Sequence, residues 1–217
     1  MKKSPVILAL SLLLWSGCVS NQNTDAPIPL PGNLQGEDLD GPIGYVGCSN
    51  TVQTIQGYHD WGGTRFWEPD PGYNGGSVNR WVEEPESTNP YWAVFDTHVQ
   101  ESPDTKIVWW ELCIPKGDSP TYEDGMTIIN ALRERIPGVS IYINSLPEYA
   151  DAECSITGVS GIEKGKELVE ELVSQNQDVH PGPFLGPMTL DDTSKDGCHL
   201  SPHGKEKLGE QLIQFFK

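Results

Sequence analysis

Apolar positions cluster along the chain in short runs separated by longer stretches of helical periodicity. Residues 42–47, PIGYVG, read as a strand, and residues 107–112, IVWWEL, form a nearly continuous apolar run of the kind found in strands covered on both faces. The run VSIYI, residues 139–143, repeats that signal. A helix-like pattern, NTVQTIQGYHDW, follows the first run. A second helix opens at Thr121 and Asp124, aligns Ile128, Ile129, Leu132 and Ile136 on one face, and stops at Pro137-Gly138. Ser160 with Glu163 opens a third, carrying Leu168, Val169, Leu172 and Val173. Ser201-Pro202 opens a last one, with proline suited to the first helical position and Leu208, Leu212, Phe215 and Phe216 as its apolar face. Strands that alternate with helices predict a mostly parallel central sheet with helices on both faces, an α/β fold built as a three-layer α/β/α sandwich. No internal repeat and no nucleotide-binding glycine fingerprint accompany the pattern. Ligands of such sheets bind at the carboxyl ends of the strands, where Ser49, Cys113 and Asn144 fall.

The first 18 residues stand apart. Lys2 and Lys3, an apolar stretch ending near Trp15, and then Ser16-Gly17-Cys18 read as an export signal, too short and wrongly flanked for a transmembrane anchor. Small residues before a cysteine form a lipobox-like end, with Trp15 where such motifs usually carry leucine, and make Cys18 the expected site of lipidation. Residues 19–41 are rich in Asn, Asp, Pro and Gly without apolar periodicity and read as a flexible tether. Residues 42–217 form the expected folded domain, for which 36% hydrophobic and 9% aromatic content suffices. An extracytoplasmic protein, secreted or lipid-anchored to the cell envelope, is therefore expected, meeting the membrane only through the anchor.

Charge narrows the partners. The formal net charge is −17, and without Lys2 and Lys3 only 12 basic residues face 31 acidic ones. Nucleic acid is excluded as a partner class, because phosphate binding needs clustered Lys and Arg. Beyond Cys18 the cysteines are Cys48, Cys113, Cys154 and Cys198, an even set that predicts two disulfides in any of three pairings. No cysteine or histidine pair has metal-ligand spacing, so neither metal nor cofactor is expected, and His59, His98, His180 and His203 are read as surface residues.

Near the C-terminus, DGCHLSPHG places Asp196 three residues before His199 on the loop into the last helix. Such a carboxylate can orient an imidazole whose other nitrogen faces a nucleophile, and Ser49 in GCSNT is the candidate. Taken singly, Ser49 reads as a helix N-cap and the Asp-His pair as a turn with a surface histidine. Their joint placement at the ends of the right elements favours a triad.

On these residues the chain resembles the SGNH (GDSL-like) hydrolase superfamily, with a flavodoxin-like fold, over residues 42–217. GCSNT is similar to the family's Gly-Asp-Ser block, with Cys48 in place of Asp. The resemblance implies Ser49 as nucleophile, His199 as general base and then acid, and Asp196 as the orienting carboxylate. It also implies an oxyanion hole from the Ser49 amide, a glycine after the second strand and an asparagine. NGGSVNRW offers Gly76, or its neighbour Gly75, as the glycine. The family's Gly-x-Asn-Asp block is replaced here by Glu111-Leu112-Cys113-Ile114, which leaves Asn144 or Asn79 to supply the last donor. Tannases and feruloyl esterases tie the Ser and His loops with a disulfide, and by that likeness Cys48 would pair with Cys198 and Cys113 with Cys154. Trp61, Trp67 and Trp81 lie in segments expected over the catalytic face and could stack on substrate, whereas Trp109 and Trp110 are expected in the core.

The resemblance implies a serine esterase acting on acyl esters, acetyl esters first, with a small-molecule or glycan ester as substrate. Lipase or thioesterase activity is open on the same fold, as is a non-catalytic glycan-binding or cell-surface module.

Overall fold

The computed structural model describes residues 40–83, 85–151 and 153–217. The export signal, Cys18 and the tether up to residue 39 lie outside the described residues. Four parallel strands, β1 (Ile43–Val46), β2 (Ile107–Leu112), β3 (Ser140–Ser145) and β4 (Val179–Pro181), are ordered β1-β2-β3-β4. Ile43 pairs with Ile107, Ile107 with Ser140, and Ile141 with Val179. The three predicted strands are present. The fourth, only Val179-His180-Pro181, is too short to show a periodicity.

Among the described residues six helices cover the sheet: α1 (Ser49–Asp60), α2 (Val78–Trp81), α3 (Pro90–Glu101), α4 (Tyr122–Arg135), α5 (Gly158–Gln175) and α6 (Pro202–Phe215). Each step from β1 to β4 moves in one direction across the sheet, so right-handed crossovers put α3, α4 and α5 on the same face. Accordingly α3 packs on β1, α4 on α5, and α5 on β3 and β4. On the other face α1 packs against α6. Their backbones nearly touch: a Cβ added at Gly57 would come within 1.9 Å of the Lys205 carbonyl oxygen, and one at Gly209 within 2.2 Å of the Gly57 carbonyl carbon. This close crossing seats the loop before α6 beside the start of α1.

The sheet has one further feature that positions the site. Ile43 also forms a parallel bridge with Phe66, with Ile43 N–H donating to Arg65 O at 2.8 Å and Trp67 N–H to Ile43 O at 3.0 Å. From β1 the chain thus runs out through α1 to one edge, then returns through α3 to the opposite side of β1 at β2. The direction of winding reverses between these connections, so the crevice outside the carboxyl ends of β1 and β2 is the topological switch point, where open α/β sheets bind ligands.

Trp109 and Trp110 are buried in the core, as expected. Trp67 and Trp81 are buried there too, which corrects their assignment to substrate contact. The Trp67 indole stacks on His98 with centroids 5.2 Å apart and donates to Thr105 Oγ1 at 3.1 Å. His98 is accordingly not a surface residue: it is 8% exposed beneath that ring. Trp81 donates from Nε1 to the carbonyls of Gly47 and Gly76 at 3.2 and 3.1 Å, bracing the backbone next to Ser49 from inside. Only Trp61 of the three is exposed, at 45%. It follows the last residue of α1, about 18 Å along the helix axis from Ser49, and so lies away from the crevice.

Candidate active site

Gly47 follows β1 with φ +155°, and a Cβ there would lie 2.1 Å from Thr51 Oγ1, so only glycine fits this turn. Cys48 follows in extended conformation as the N-cap of α1, and Ser49 takes the first helical position. Ser49 therefore sits where unpaired amides and the helix dipole favour negative charge.

Ser49 Oγ lies 2.8 Å from His199 Nε2, and His199 Nδ1 lies 2.5 Å from Asp196 Oδ2. With Nδ1 protonated toward Asp196, Nε2 accepts the Ser49 hydroxyl proton. Asp196 is fixed in turn, its Oδ1 accepting from Ser194 Oγ (2.8 Å), the Cys198 amide (3.0 Å) and the His199 amide (3.0 Å). The His199 hydrogen bond, aided by these donors, holds the Asp196 carboxyl far below the usual carboxylate range, so it is ionised at neutral pH.

The loop bearing His199 is tied to α1 and to the loop after β3. Cys198 O accepts from Asn50 Nδ2 at 3.2 Å and from Tyr149 Oη at 3.0 Å, while the Leu200 amide donates to Gln53 Oε1 at 2.8 Å. On its far side Asp192 is fully buried. Burial opposes its ionisation, but hydrogen bonds from Lys207 and Thr189 outweigh this and hold the carboxyl down to about 2.

The disulfides differ from the expected pairing. Cys48 bonds Cys113 across a Cα–Cα distance of 6.0 Å, and Cys154 bonds Cys198 across 4.3 Å. The parallel register explains the first. Val46 faces Trp110, so the chains leaving β1 and β2 bring Cys48 and Cys113 alongside each other. The second joins the loop after β3 to the residue before His199. Each bridge thus anchors one catalytic candidate to the sheet's next connection, and neither ties the Ser49 loop to the His199 loop.

The oxyanion candidates are rearranged as well. The Gly76 amide donates to Gly47 O at 2.7 Å and is not free. Gly75, with φ +62°, abuts the turn so closely that a Cβ would lie 2.2 Å from Gly47 O and 2.9 Å from Cys48 Cα. Asn144 is drawn away, accepting from Trp109 Nε1 at 2.6 Å and donating to Ser145 O at 2.8 Å. Asn79 is exposed on α2. The residue before it, Val78, donates its amide to Cys113 O at 3.1 Å, so α2 is pinned to the disulfide beside Ser49.

Glu111, to which the sequence alone assigns no role, adds a buried acid to this region. It is fully buried at the end of β2, and its Oε2 accepts from Thr51 Oγ1 at 2.8 Å. Burial pushes its carboxyl up to about 8, against the lowering effect of the Thr51 bond. The sequence signal was a lone acid inside the apolar run IVWWEL. Because the folded protein holds this proton more tightly than the unfolded chain, stability is full below the ordinary carboxylate value of about 4.5 and falls as pH rises toward 8. In urea titrations, Glu111→Gln is expected to gain on the wild type progressively over that window, by up to a few kcal/mol; a constant difference would contradict the burial of an ionisable proton here.

One opening lies beside these residues and another far from them. A groove of about 190 Å³ includes Tyr149, Glu153, Val159, Ile162 and Lys166 in its lining, and Ile162 and Tyr149 pack in the same cluster as Cys48 and Cys113. A larger cavity of about 580 Å³ is lined by Asp40, Arg65 and Trp67 at the opposite, amino end of β1, remote from Ser49. Among the described residues no group of three His, Cys, Asp or Glu could hold a metal ion, and no helix is long and apolar enough to cross a membrane.

No family model matches the sequence, and no curated protein matches it. Among solved structures, the chain is similar to a carbohydrate esterase family 3 protein from Talaromyces cellulolyticus, at 16% identity and a TM-score of 0.50 over 81% of this chain and 97% of that one. It is also similar to a family two carbohydrate esterase from Clostridium thermocellum, solved with cellohexaose, at 14% identity and a TM-score of 0.46 over 82% of this chain and 64% of that one. A protein described as a GDSL-like lipase from Parabacteroides merdae matches at 13% identity and a TM-score of 0.46 over 81% and 94%. At 16% identity the likeness to the Talaromyces protein shows a shared α/β fold and no more.

Proposed function

We propose that the protein is a serine esterase that removes acyl groups, acetyl above all, from carbohydrate esters. The observation that carries this reading is the continuous hydrogen-bonded chain from Ser49 through His199 to Asp196, set at a helix N-terminus in the switch-point crevice. In the first half-reaction His199 Nε2 takes the Ser49 proton as Oγ attacks the acyl carbon. The tetrahedral oxyanion is held by the Ser49 and Gly75 amides at the positive end of α1, with the Asn79 side chain as third donor. His199 then gives the proton to the departing alcohol, leaving an acyl-Ser49 ester. Water, deprotonated by the same nitrogen, attacks that ester and releases the carboxylic acid and Ser49.

The glycan part of the reading draws on the name of the Talaromyces neighbour and on charge. A net charge of −17 suits a neutral sugar ester better than an anionic lipid surface. Two disulfides support an oxidising, extracytoplasmic setting, reached by the export signal and held there by lipidation at Cys18.

The wild type is expected to hydrolyse p-nitrophenyl acetate and acetylated sugars, and Ser49→Ala to lose at least about 10³-fold of kcat. Equal turnover by mutant and wild type would sink the enzyme reading and leave a glycan-binding module on a hydrolase fold, the alternative raised by the missing Gly-x-Asn-Asp block.

A further inference from the structure

Glu111 occupies an unusual place for a carboxyl group. It is fully buried, its Oε1 has no hydrogen-bond partner among the described residues, and its Oε2 meets only the Thr51 hydroxyl. An acid so placed is costly to bury and is not needed to fill space, since an apolar side chain would pack there without orphaning an oxygen. What it touches is the support of the nucleophile. Thr51 is itself fully buried, and its Oγ1 accepts the Cys48 amide at 3.0 Å while donating to Glu111. Cys48 is the N-cap residue immediately before Ser49, and the Gly47 turn leaves room for no atom but this hydroxyl.

We propose that Glu111 is a positioning residue of the esterase: buried beneath the nucleophile turn, its Oε2 orients the Thr51 hydroxyl, and through it the Cys48 amide, so that Ser49 enters α1 with its Oγ aimed at His199. The inference rests on the esterase reading. With its proton directed to Glu111 Oε2, the Thr51 hydroxyl is held in the rotamer that presents a lone pair to the Cys48 amide. Charge matters as well as shape. An ionised Glu111 would put a negative charge under the helix end that must stabilise the oxyanion. The groups facing this region are the neutral Thr51 from α1, the Cys48–Cys113 disulfide, Tyr149 from the loop after β3, and Asp196 with His199 from the loop before α6. Tyr149 is pushed up to about 12, burial being the larger cause and Glu111 the next. Asp196 is ionised at neutral pH. Neither changes charge where Glu111 does.

The test compares Glu111→Gln, Glu111→Leu and Thr51→Val with the wild type on p-nitrophenyl acetate from pH 6 to 10, with melting temperature and disulfide mapping to establish folding. Glu111→Leu and Thr51→Val are expected to lower kcat between about 10- and 100-fold at unchanged KM, the scale of a misplaced reacting group. Glu111→Gln, which preserves the acceptor, restores most of kcat at pH 7 and removes the loss of kcat that the wild type shows above about pH 8. Thr51→Val, or a folded Glu111→Leu, with kcat within twofold of wild type would overturn the proposal, as would an alkaline loss that persists unchanged in Glu111→Gln. Should Glu111→Leu fail to fold, the other two variants decide. A wild type no more active than Ser49→Ala would instead remove the esterase reading itself, so the two failures are distinguishable.

Discussion

Changing Asp196 to asparagine is expected to lower kcat about 10⁴-fold while leaving the fold intact, as replacement of the carboxylate does in serine proteases. The reason lies in how the two oxygens are used. Oδ1 accepts from Ser194, Cys198 and His199, a role the asparagine oxygen can keep, so the loop should hold its shape. Oδ2 accepts from His199 Nδ1, and an amide NH₂ there has no lone pair to offer. The imidazole must then turn its unprotonated Nδ1 to the asparagine and carry its proton on Nε2, which can no longer accept from Ser49. Steady-state hydrolysis of p-nitrophenyl acetate, beside a thermal melt, checks both halves. A variant that retains kcat within a few-fold of wild type would remove Asp196 from the mechanism.

The second large effect concerns the bridge beside His199. Removing it with the double substitution Cys154→Ser/Cys198→Ser should cost about 2–4 kcal/mol of stability, as cross-links closing loops of this size do. It should also lower kcat about tenfold or more, by loosening the carbonyl and amide on either side of His199. The hydrogen bonds from Asn50 and Tyr149 to Cys198 O and from the Leu200 amide to Gln53 Oε1 remain to hold the loop in place, so activity is expected to be reduced and not abolished. Denaturant titration and kcat on the same preparation measure the two consequences. Unchanged stability together with unchanged kcat would show that the bridge constrains neither the unfolded chain nor the base.

Much of this architecture is visible in the residues themselves. PIGYVG, IVWWEL and VSIYI are strands because apolar runs of that length are stable only between two helical layers. Ser201-Pro202 opens α6 as read, with Ser201 Oγ accepting the Gly204 amide at 3.1 Å. The third predicted helix begins earlier than Ser160, with Thr157 as N-cap, because Gly158 turns the chain at φ +62° and Glu153 Oε1 accepts the Val159 amide. Helix α3 has no clear periodicity in the sequence, since PYWAVFDTHVQE buries only Trp92, Phe95 and His98 and so presents a weak apolar stripe. The lone bridge at Phe66, which creates the switch point, has no periodicity to detect.

In the site, proximity of Ser49, His199 and Asp196 followed from element ends. Finer geometry did not. A hydrogen bond between the side chains of residues 49 and 199 does not set the distance between their chain neighbours, which is why Cys48 pairs with Cys113 across the β1–β2 register and not with Cys198. Nor does composition say which way an indole points: Trp81 turns inward to the Gly47 and Gly76 carbonyls, where it supports the crevice from beneath. Glu111 shows the converse, an acid in a core strand marking where local pattern yields to a site.

The central claim is that the hydroxyl of Ser49 is made nucleophilic by His199. Labelling the intact protein with a fluorophosphonate probe and locating the adduct by peptide mass spectrometry tests it directly. The account predicts a single phosphonylated residue, Ser49, with labelling lost in Ser49→Ala and slowed by orders of magnitude in Asp196→Asn. An adduct on another residue, or equal labelling of Ser49→Ala, would contradict it.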